Sequence, residues 1–185
     1  MSCDITAGRI EQCKDSVSGL KAIYITNYDD LSEDDTMVIT DDEIMSWEPA
    51  AQLTLYKFEL KSTANSFTTA IESSRDNGTT FFTQTLVAQL KKQDAITNKN
   101  VKLLAYGRPR IVVRSMTDQF FLMGFAQGAD VSAGNISTGA ALGDFNGYEL
   151  TFTAMEELPA NFMDCTDEAG LKVLFNDGTD DAVIV

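Results

Sequence analysis

The chain has 185 residues, of which 44% are apolar, and this length and composition favour one folded domain with a sizeable core over a disordered chain. Its 28 acidic residues outnumber its 14 basic ones, and the net charge of −14 argues against a protein that reads DNA or RNA sequence, because it repels phosphates. The opening residues lack the apolar run of a signal peptide, and no segment approaches the roughly 20 apolar residues that span a bilayer. We therefore expect a protein that is made in a cytoplasm and does not enter a membrane.

The chain opens with residues 1–19, which we interpret as an N-terminal arm ahead of a β domain at 20–165. Apolar and polar residues alternate most clearly from Tyr148 to Met155, with the period of two that is typical of a strand with one buried face. Further β-rich runs predict strands at 21–27, 36–40, 53–61, 67–71, 82–90, 110–114 and 120–124. The apolar parity changes within 53–60, so either both faces of that strand are covered or a bulge shifts its register.

One segment, residues 94–106, is predicted to form a helix. Asp94 is placed to cap its first turn, and Gly107 and Pro109 follow its last residue. We expect one face of this helix to pack against the sheet.

Three segments have less regular patterns. Residues 28–50 form a long acidic stretch, which we interpret as an excursion loop, either an extended arm or a hairpin that projects from the domain. Residues 126–147 are rich in glycine, serine and alanine and predict two short strands or a flexible loop. Residues 166–185 are interpreted as a C-terminal arm, which holds a small hairpin at Asp177 and Gly178 or docks on a neighbour.

The residue types argue against catalysis. The chain has no histidine, which removes the commonest general base and the commonest zinc ligand, and it has no phosphate-binding loop or nucleophile elbow. Its acidic runs are typical of solvated loops, and residues 176–181 predict a plain turn rather than a calcium loop. The three cysteines, Cys3, Cys13 and Cys165, are scattered and odd in number, which favours free thiols. We expect no enzyme, no cofactor and no bound metal.

The order of elements carries a resemblance to a known family. The predicted helix is followed by RPRIVVRSMTDQFFLMG and then by GADVSAGNISTGAALGDFNGYELTFTAMEELPANF, and over residues 20–162 this order and ending resemble bacteriophage tail tube and tail-tube-like proteins. The opening MSCDITAGRIEQCKDSVSGLKAIYITNYDD is similar to the starts of virion proteins from crAss-like and related phages of Bacteroidetes.

The resemblance implies a β-sandwich or partial barrel with one flanking helix, whose subunits join edge to edge in a hexameric or dodecameric ring. Double-stranded DNA would pass through the ring without sequence-specific binding, and other tail or connector proteins would be its neighbours in the virion. Long-tailed phages use this fold in a stacked tube and short-tailed phages in a hub or connector ring. Both remain open, and the Bacteroidetes-like opening favours the ring.

Three groups of residues are candidates for assembly. The channel-facing candidates are Glu149, Thr151, Thr153, Thr83 and Thr85. The candidates for contact with the next ring, in the acidic stretch, are Ile44 and Trp47, although Trp47 could instead fold its own loop onto the sheet. The candidates for ion pairs with a neighbouring subunit are Lys91, Lys92, Arg108, Arg110 and Arg114.

Two other classes of function are weighed against assembly. A carbohydrate- or receptor-binding β-sandwich predicts a cluster of exposed tryptophan and tyrosine, and this chain has one tryptophan. A glycosidase needs two carboxylates in a concave site, and nothing in the sequence indicates such a pair.

Overall fold

A computed structural model describes residue 5 and residues 7–11, 13–32 and 34–185, and its fold is mainly β, with 44% strand and 12% helix. The first strands are β1 Leu20–Thr26, β2 Thr36–Thr40, β3 Glu43–Glu48, β4 Thr54–Glu59, β5 Ser66–Ser74 and β6 Thr79–Lys91. They are followed by β7 Arg110–Ser115, β8 Phe120–Met123, β9 Asp130–Ser137, β10 Gly147–Glu156, β11 Asn161–Met163 and β12 Val183–Ile184. The helices are α1 Ala95–Tyr106 and α2 Glu168–Leu174, and a single 3-10 turn spans Tyr28–Asp30.

The strands form two sheets. The larger has the order β12-β4-β1-β7-β8-β11-β3-β2, and the smaller has the order β5-β6-β10-β9. The two sheets with a flanking helix are consistent with a β-sandwich, which confirms the predicted fold class, and they do not close into a barrel.

The central strands of the eight-stranded sheet, β1 and β7, are buried on both faces. Along β1, Ala22 and Tyr24 belong to one apolar cluster and Ile23 and Ile25 to a second one. The first cluster lies under α2, and the second faces the four-stranded sheet and α1. A strand covered on both sides reads as a continuous apolar run rather than as an alternation, because neither of its faces meets water.

The same arrangement explains why the apolar residues change from odd to even positions around β4. Leu53 and Leu55 belong to the first cluster, whereas Phe58 and Leu60 pack in the second. The pairing of β4 with β1 runs from Tyr56 to Glu59 without a register shift. Of the two alternatives that the sequence leaves open, the structure has the one with both faces covered.

Helix α1 is confirmed. The Asp94 carboxylate accepts a hydrogen bond from the Thr97 amide at 2.8 Å, and the helix ends at Gly107. Val101 and Leu104 pack in the second cluster, so one face of the helix lies on the sandwich as expected.

Residues 28–50 contain more regular structure than the sequence indicates. The predicted strand 36–40 is confirmed as β2, and it pairs with β3, which the sequence analysis missed, to form a hairpin. Strand β3 also pairs with β11, so this hairpin completes one side of the eight-stranded sheet.

Residues 166–185 belong to the domain rather than to a separate arm. Leu171, Leu174 and Phe175 of the α2 region are buried in the first cluster, and β12 pairs with β4. Apolar side chains on one face of α2 dock it on the chain's own sheet. Asp177 and Gly178 lie in a turn, where the Asp177 carboxylate accepts from the amides of Thr179 and Asp180. The glycine-rich segment 126–147 supplies one long strand, β9, and a loop before β10.

Candidate assembly surfaces

The first candidate surface is the outer face of the four-stranded sheet. Leu150, Phe152 and Ala154 of β10 are buried against the eight-stranded sheet, so the residues between them point the other way. The register pairs Thr153 with Thr85 and Met155 with Thr83. The structure therefore brings the predicted channel-facing residues together on one open face: Glu149, Thr151, Thr153, Thr83 and Thr85.

Short hydrogen bonds order this outer face. The Ser132 and Thr153 hydroxyls are 2.8 Å apart, and the Thr83 hydroxyl donates to the Glu72 carboxylate at 2.7 Å. The alternation of side chains along the register also places Asp130 and Lys91 on this face, at its borders. On the described strands, this face therefore carries three carboxylates, those of Glu72, Asp130 and Glu149, and one ammonium group, that of Lys91. The face is rich in hydroxyl groups and acidic overall.

The second candidate surface is the pair of edge strands, β5 and β9. Each pairs with a neighbour on one side only within the described chain. Strand β5 has nine residues and β9 has eight, and most of them are exposed. Proteins usually protect such edges with lysine, proline or a short strand. Neither SFTTAIESS nor DVSAGNIS contains lysine or proline, so both edges remain competent to pair with another strand.

Ile44 and Trp47 are a correction. Both side chains are 0% exposed, so they offer no surface to a neighbouring ring. The Trp47 indole N–H donates to the Ser32 carbonyl at 3.2 Å, and its ring lies 5.5 Å from that of Phe125. A large apolar ring gains most where water is excluded on all sides, and Trp47 folds its own hairpin onto the sheet.

Arg110 and Arg114 are a second correction, because their guanidinium groups bind within the chain. Arg110 is 1% exposed and donates to the carbonyls of Phe125, Tyr28 and Leu31 at 2.8, 2.6 and 2.6 Å. Arg114 lies 2.6 Å from the Asp118 carboxylate and 3.4 Å from Glu168. A planar fork of five donors suits several acceptors at once, which holds both residues inside the domain.

The other three cations are exposed and stay candidates for contact with a neighbour: Lys91, Lys92 and Arg108. The Arg108 guanidinium lies 4.1 Å from the centre of the Tyr28 ring. Arg108 and Tyr28 both line a groove of about 850 Å³ beside α1.

A charged network that the sequence analysis missed ties α2 to the eight-stranded sheet. Glu168 accepts from the Tyr24 hydroxyl at 2.9 Å and from the Lys57 ammonium at 2.7 Å. The Lys57 hydrogen bond lowers the pKa of Glu168, and burial raises the pKa of Tyr24 to about 12. Glu168 is 144 residues from Tyr24, so no local pattern could have indicated the pair.

A second missed feature is an apolar groove at one end of the sandwich. It has a volume of about 1240 Å³ and is lined by residues of both sheets. Three phenylalanines form its floor, with ring centroids 6.1 Å apart for Phe67 and Phe121 and 4.7 Å apart for Phe121 and Phe162. We call this feature the phenylalanine groove.

Within the described ranges, no group of three or more acidic or cysteine side chains is arranged to hold a metal ion. No helix of the described chain is long and apolar enough to cross a membrane. Comparisons with family models, with curated proteins and with solved structures found no match to this chain.

Proposed function

We propose that this chain is a virion structural protein that assembles into a ring or tube in a phage tail or neck, around a channel that conducts DNA. The observation that carries the proposal is the pair of long edges on the four-stranded sheet, neither of which contains lysine or proline. In the assembly, β5 of one subunit pairs with β9 of the next. Such a contact uses two different surfaces, and it closes into a ring when the rotation between subunits permits.

The energetics favour closure over isolated dimers. A ladder along the eight residues of β9 forms about eight backbone hydrogen bonds, and at about 0.5–1.5 kcal/mol each they contribute roughly 4–12 kcal/mol. Association costs about 4–15 kcal/mol in lost freedom of motion, so one contact alone is marginal. The last contact in a ring is intramolecular and avoids most of that cost.

The outer face of the four-stranded sheet is the surface that would line the channel. Its opposite face is buried against the eight-stranded sheet, so a ring of continued four-stranded sheets with the eight-stranded sheets on its outside would present the hydroxyl-rich, acidic face to the axis. Carboxylates there would repel phosphates and let DNA slide without sticking.

The proposal covers a stacked tube and a single hub or connector ring, of six or twelve subunits, next to other tail or connector proteins. The chain acts by assembly and passive conduction in this proposal, without catalysis.

The first test is mass photometry of the purified protein across concentration, with negative-stain imaging of particles larger than the 20.2 kDa monomer. We expect closed rings or tubes with a central hole. An edge variant, Thr68→Lys with Ala70→Lys, places ammonium groups on β5 and should leave monomers. The matched control, Thr83→Lys with Thr85→Lys, adds the same two groups at the paired positions of the central strand β6 and should still assemble. Rings formed equally by the edge variant would overturn the edge-pairing model.

A carbohydrate- or receptor-binding module is the second candidate, and the groove beside α1 favours it. Tyr56 and Tyr106 line that groove and are 44% and 84% exposed. The guanidinium groups of Arg108 and Arg110 lie 4.1 and 4.2 Å from the centre of the Tyr28 ring and cover it, so Tyr56 and Tyr106 are the tyrosines of this groove that a ligand could stack on. A strictly monomeric wild-type protein that binds glycans would support this candidate.

A further inference from the structure

The phenylalanine groove is an apolar surface that the described chain leaves open. Phe162 in its floor is 46% exposed, and Met116 in its wall is 49% exposed. Apolar surface of this kind, gathered in a concave site, marks a place where another apolar segment binds.

The N-terminal arm carries apolar side chains that nothing covers. Ile5, Ile10 and Val17 are 94%, 88% and 64% exposed, and the described residues before Gly19 contain no helix or strand. The arm and the groove are thus two apolar surfaces that lack a partner within the described chain.

The arm leaves the domain at the groove itself. Ser18, Gly19 and Leu20 form part of the groove wall. Gly19 has a φ of +118°, and its carbonyl accepts from the Met116 amide at 3.0 Å, which sets the direction of the arm. In this arrangement Ile10 and Val17 of the arm are exposed, and so are Phe162 and Met116 of the same chain's groove.

The charges of the two surfaces have opposite signs, but the difference is small. The four cations around the groove are paired with carboxylates of the same chain, which leaves an excess of one positive charge: Lys21 and Arg114 with Asp118, Lys57 with Glu168, and Lys61 with Glu59. The arm has three acidic residues, Asp4, Glu11 and Asp15, and two basic ones, Arg9 and Lys14, which leaves an excess of one negative charge. Their attraction is a minor contribution beside the apolar contact.

We propose that the phenylalanine groove of each subunit binds the N-terminal arm of a neighbouring copy, with the arm's aliphatic side chains against the three phenylalanines. Each subunit has one arm and one such groove, so each subunit inserts its arm into the next subunit and receives the arm of the previous one. The inference rests on the proposed ring, in which it adds a second contact to the pairing of β5 with β9.

The test uses two full-length preparations mixed in equal amounts. One has a photoreactive diazirine amino acid in place of Ile10, and the other is unmodified and labelled with ¹⁵N. After assembly and illumination, mass spectrometry identifies which groove peptides carry the adduct. We expect adducts on ¹⁵N peptides that contain Phe162 or Met116. Adducts confined to the photoreactive chain's own groove, or none in the groove, would overturn the proposal.

The outcomes separate this inference from the proposed function. Rings without intermolecular groove adducts leave the ring standing and refute the arm exchange. Intermolecular adducts in particles that are not rings support the arm exchange and refute the ring.

A variant pair gives a second readout. Ile10→Lys with Val17→Lys should raise the concentration needed for assembly by roughly tenfold or more, because ammonium groups do not enter an apolar groove and are repelled by the cations around it. Leu142→Lys with Val173→Lys places the same two charges on exposed residues outside the groove and should assemble as the wild type does. Equal effects of both variants would show that the added charge, and not the lost contact, weakens assembly.

Discussion

Arg110 is the side chain whose replacement gives the sharpest test of the fold. Arg110→Met keeps most of the apolar volume but removes a guanidinium that donates to three backbone carbonyls in a site 1% exposed. A buried carbonyl that loses its donor costs about 1–3 kcal/mol, so three of them, in a turn that can partly relax towards water, cost about 3–5 kcal/mol together. We expect a loss in that range, a large part of the 5–15 kcal/mol that stabilises an ordinary domain.

Urea unfolding followed by tryptophan fluorescence measures this loss. Trp47 is the chain's one tryptophan, and its ring lies 5.5 Å from the Arg110 guanidinium, so its emission reports on the affected region. With an m-value of about 2 kcal/mol/M, the midpoint should fall by about 1.5–2.5 M. The protein concentration is kept where mass photometry shows monomers, since assembly would add its own stability.

Arg108→Met is the matched control. Its guanidinium lies over the same Tyr28 ring, at 4.1 Å, but it is exposed and has no buried carbonyls to satisfy. An exposed cation–π contact contributes about 0.5–1 kcal/mol, so the midpoint should fall by about 0.3–0.5 M. Equal shifts for the two variants would refute the assignment of Arg110 as the group that holds the 28–31 turn.

Three further outcomes follow from single groups. The Lys57 hydrogen bond lowers the pKa of Glu168 in the folded state, so the Glu168 carboxylate stabilises the fold above its unfolded-state pKa and loses that effect as the pH falls through its folded-state pKa. Glu168→Gln should therefore reduce the loss of unfolding free energy at acid pH, by less than about 1 kcal/mol, in urea unfolding measured across pH. Assembled Glu149→Lys particles should retain double-stranded DNA at low salt, measured by fluorescence anisotropy, where wild-type particles do not. Burial raises the pKa of the Cys165 thiol to about 12, so a thiol reagent at pH 8 should label Cys13 and spare Cys165 until the chain unfolds; equal labelling of both would contradict the burial.

Strand β10 shows what could be predicted from the sequence. One of its faces is buried and the other is open, so apolar and polar residues alternate along it. The same alternation places Glu149, Thr151 and Thr153 on a common face. Helix α1 was equally accessible, because its cap and its stop are encoded within a few residues.

Residues whose partners lie far along the chain could not be assigned in this way. Arg110 looks like a surface cation until the 28–31 turn, about 80 residues earlier, supplies carbonyls for it. The sequence left two alternatives for Trp47, a contact with a neighbouring ring or a ring that folds its own loop onto the sheet. The structure has the second, because Phe125 and Phe175 pack on its ring from other parts of the chain. Tertiary contacts decided both cases, and a single sequence does not contain them.

The two sheets differ in how their edges are protected, and this difference supports the edge pairing in the proposed assembly. The outer strands of the eight-stranded sheet are short, with two residues in β12 and five in β2. The outer strands of the four-stranded sheet are long and carry neither lysine nor proline. Since exposed edges of that length invite aggregation, a stable protein retains them when a specific partner strand covers them. In the proposed assembly, a second copy of the chain would supply such a strand from its opposite edge. Repetition of that contact would close into a ring if the rotation between subunits permits and would give an open filament if it does not.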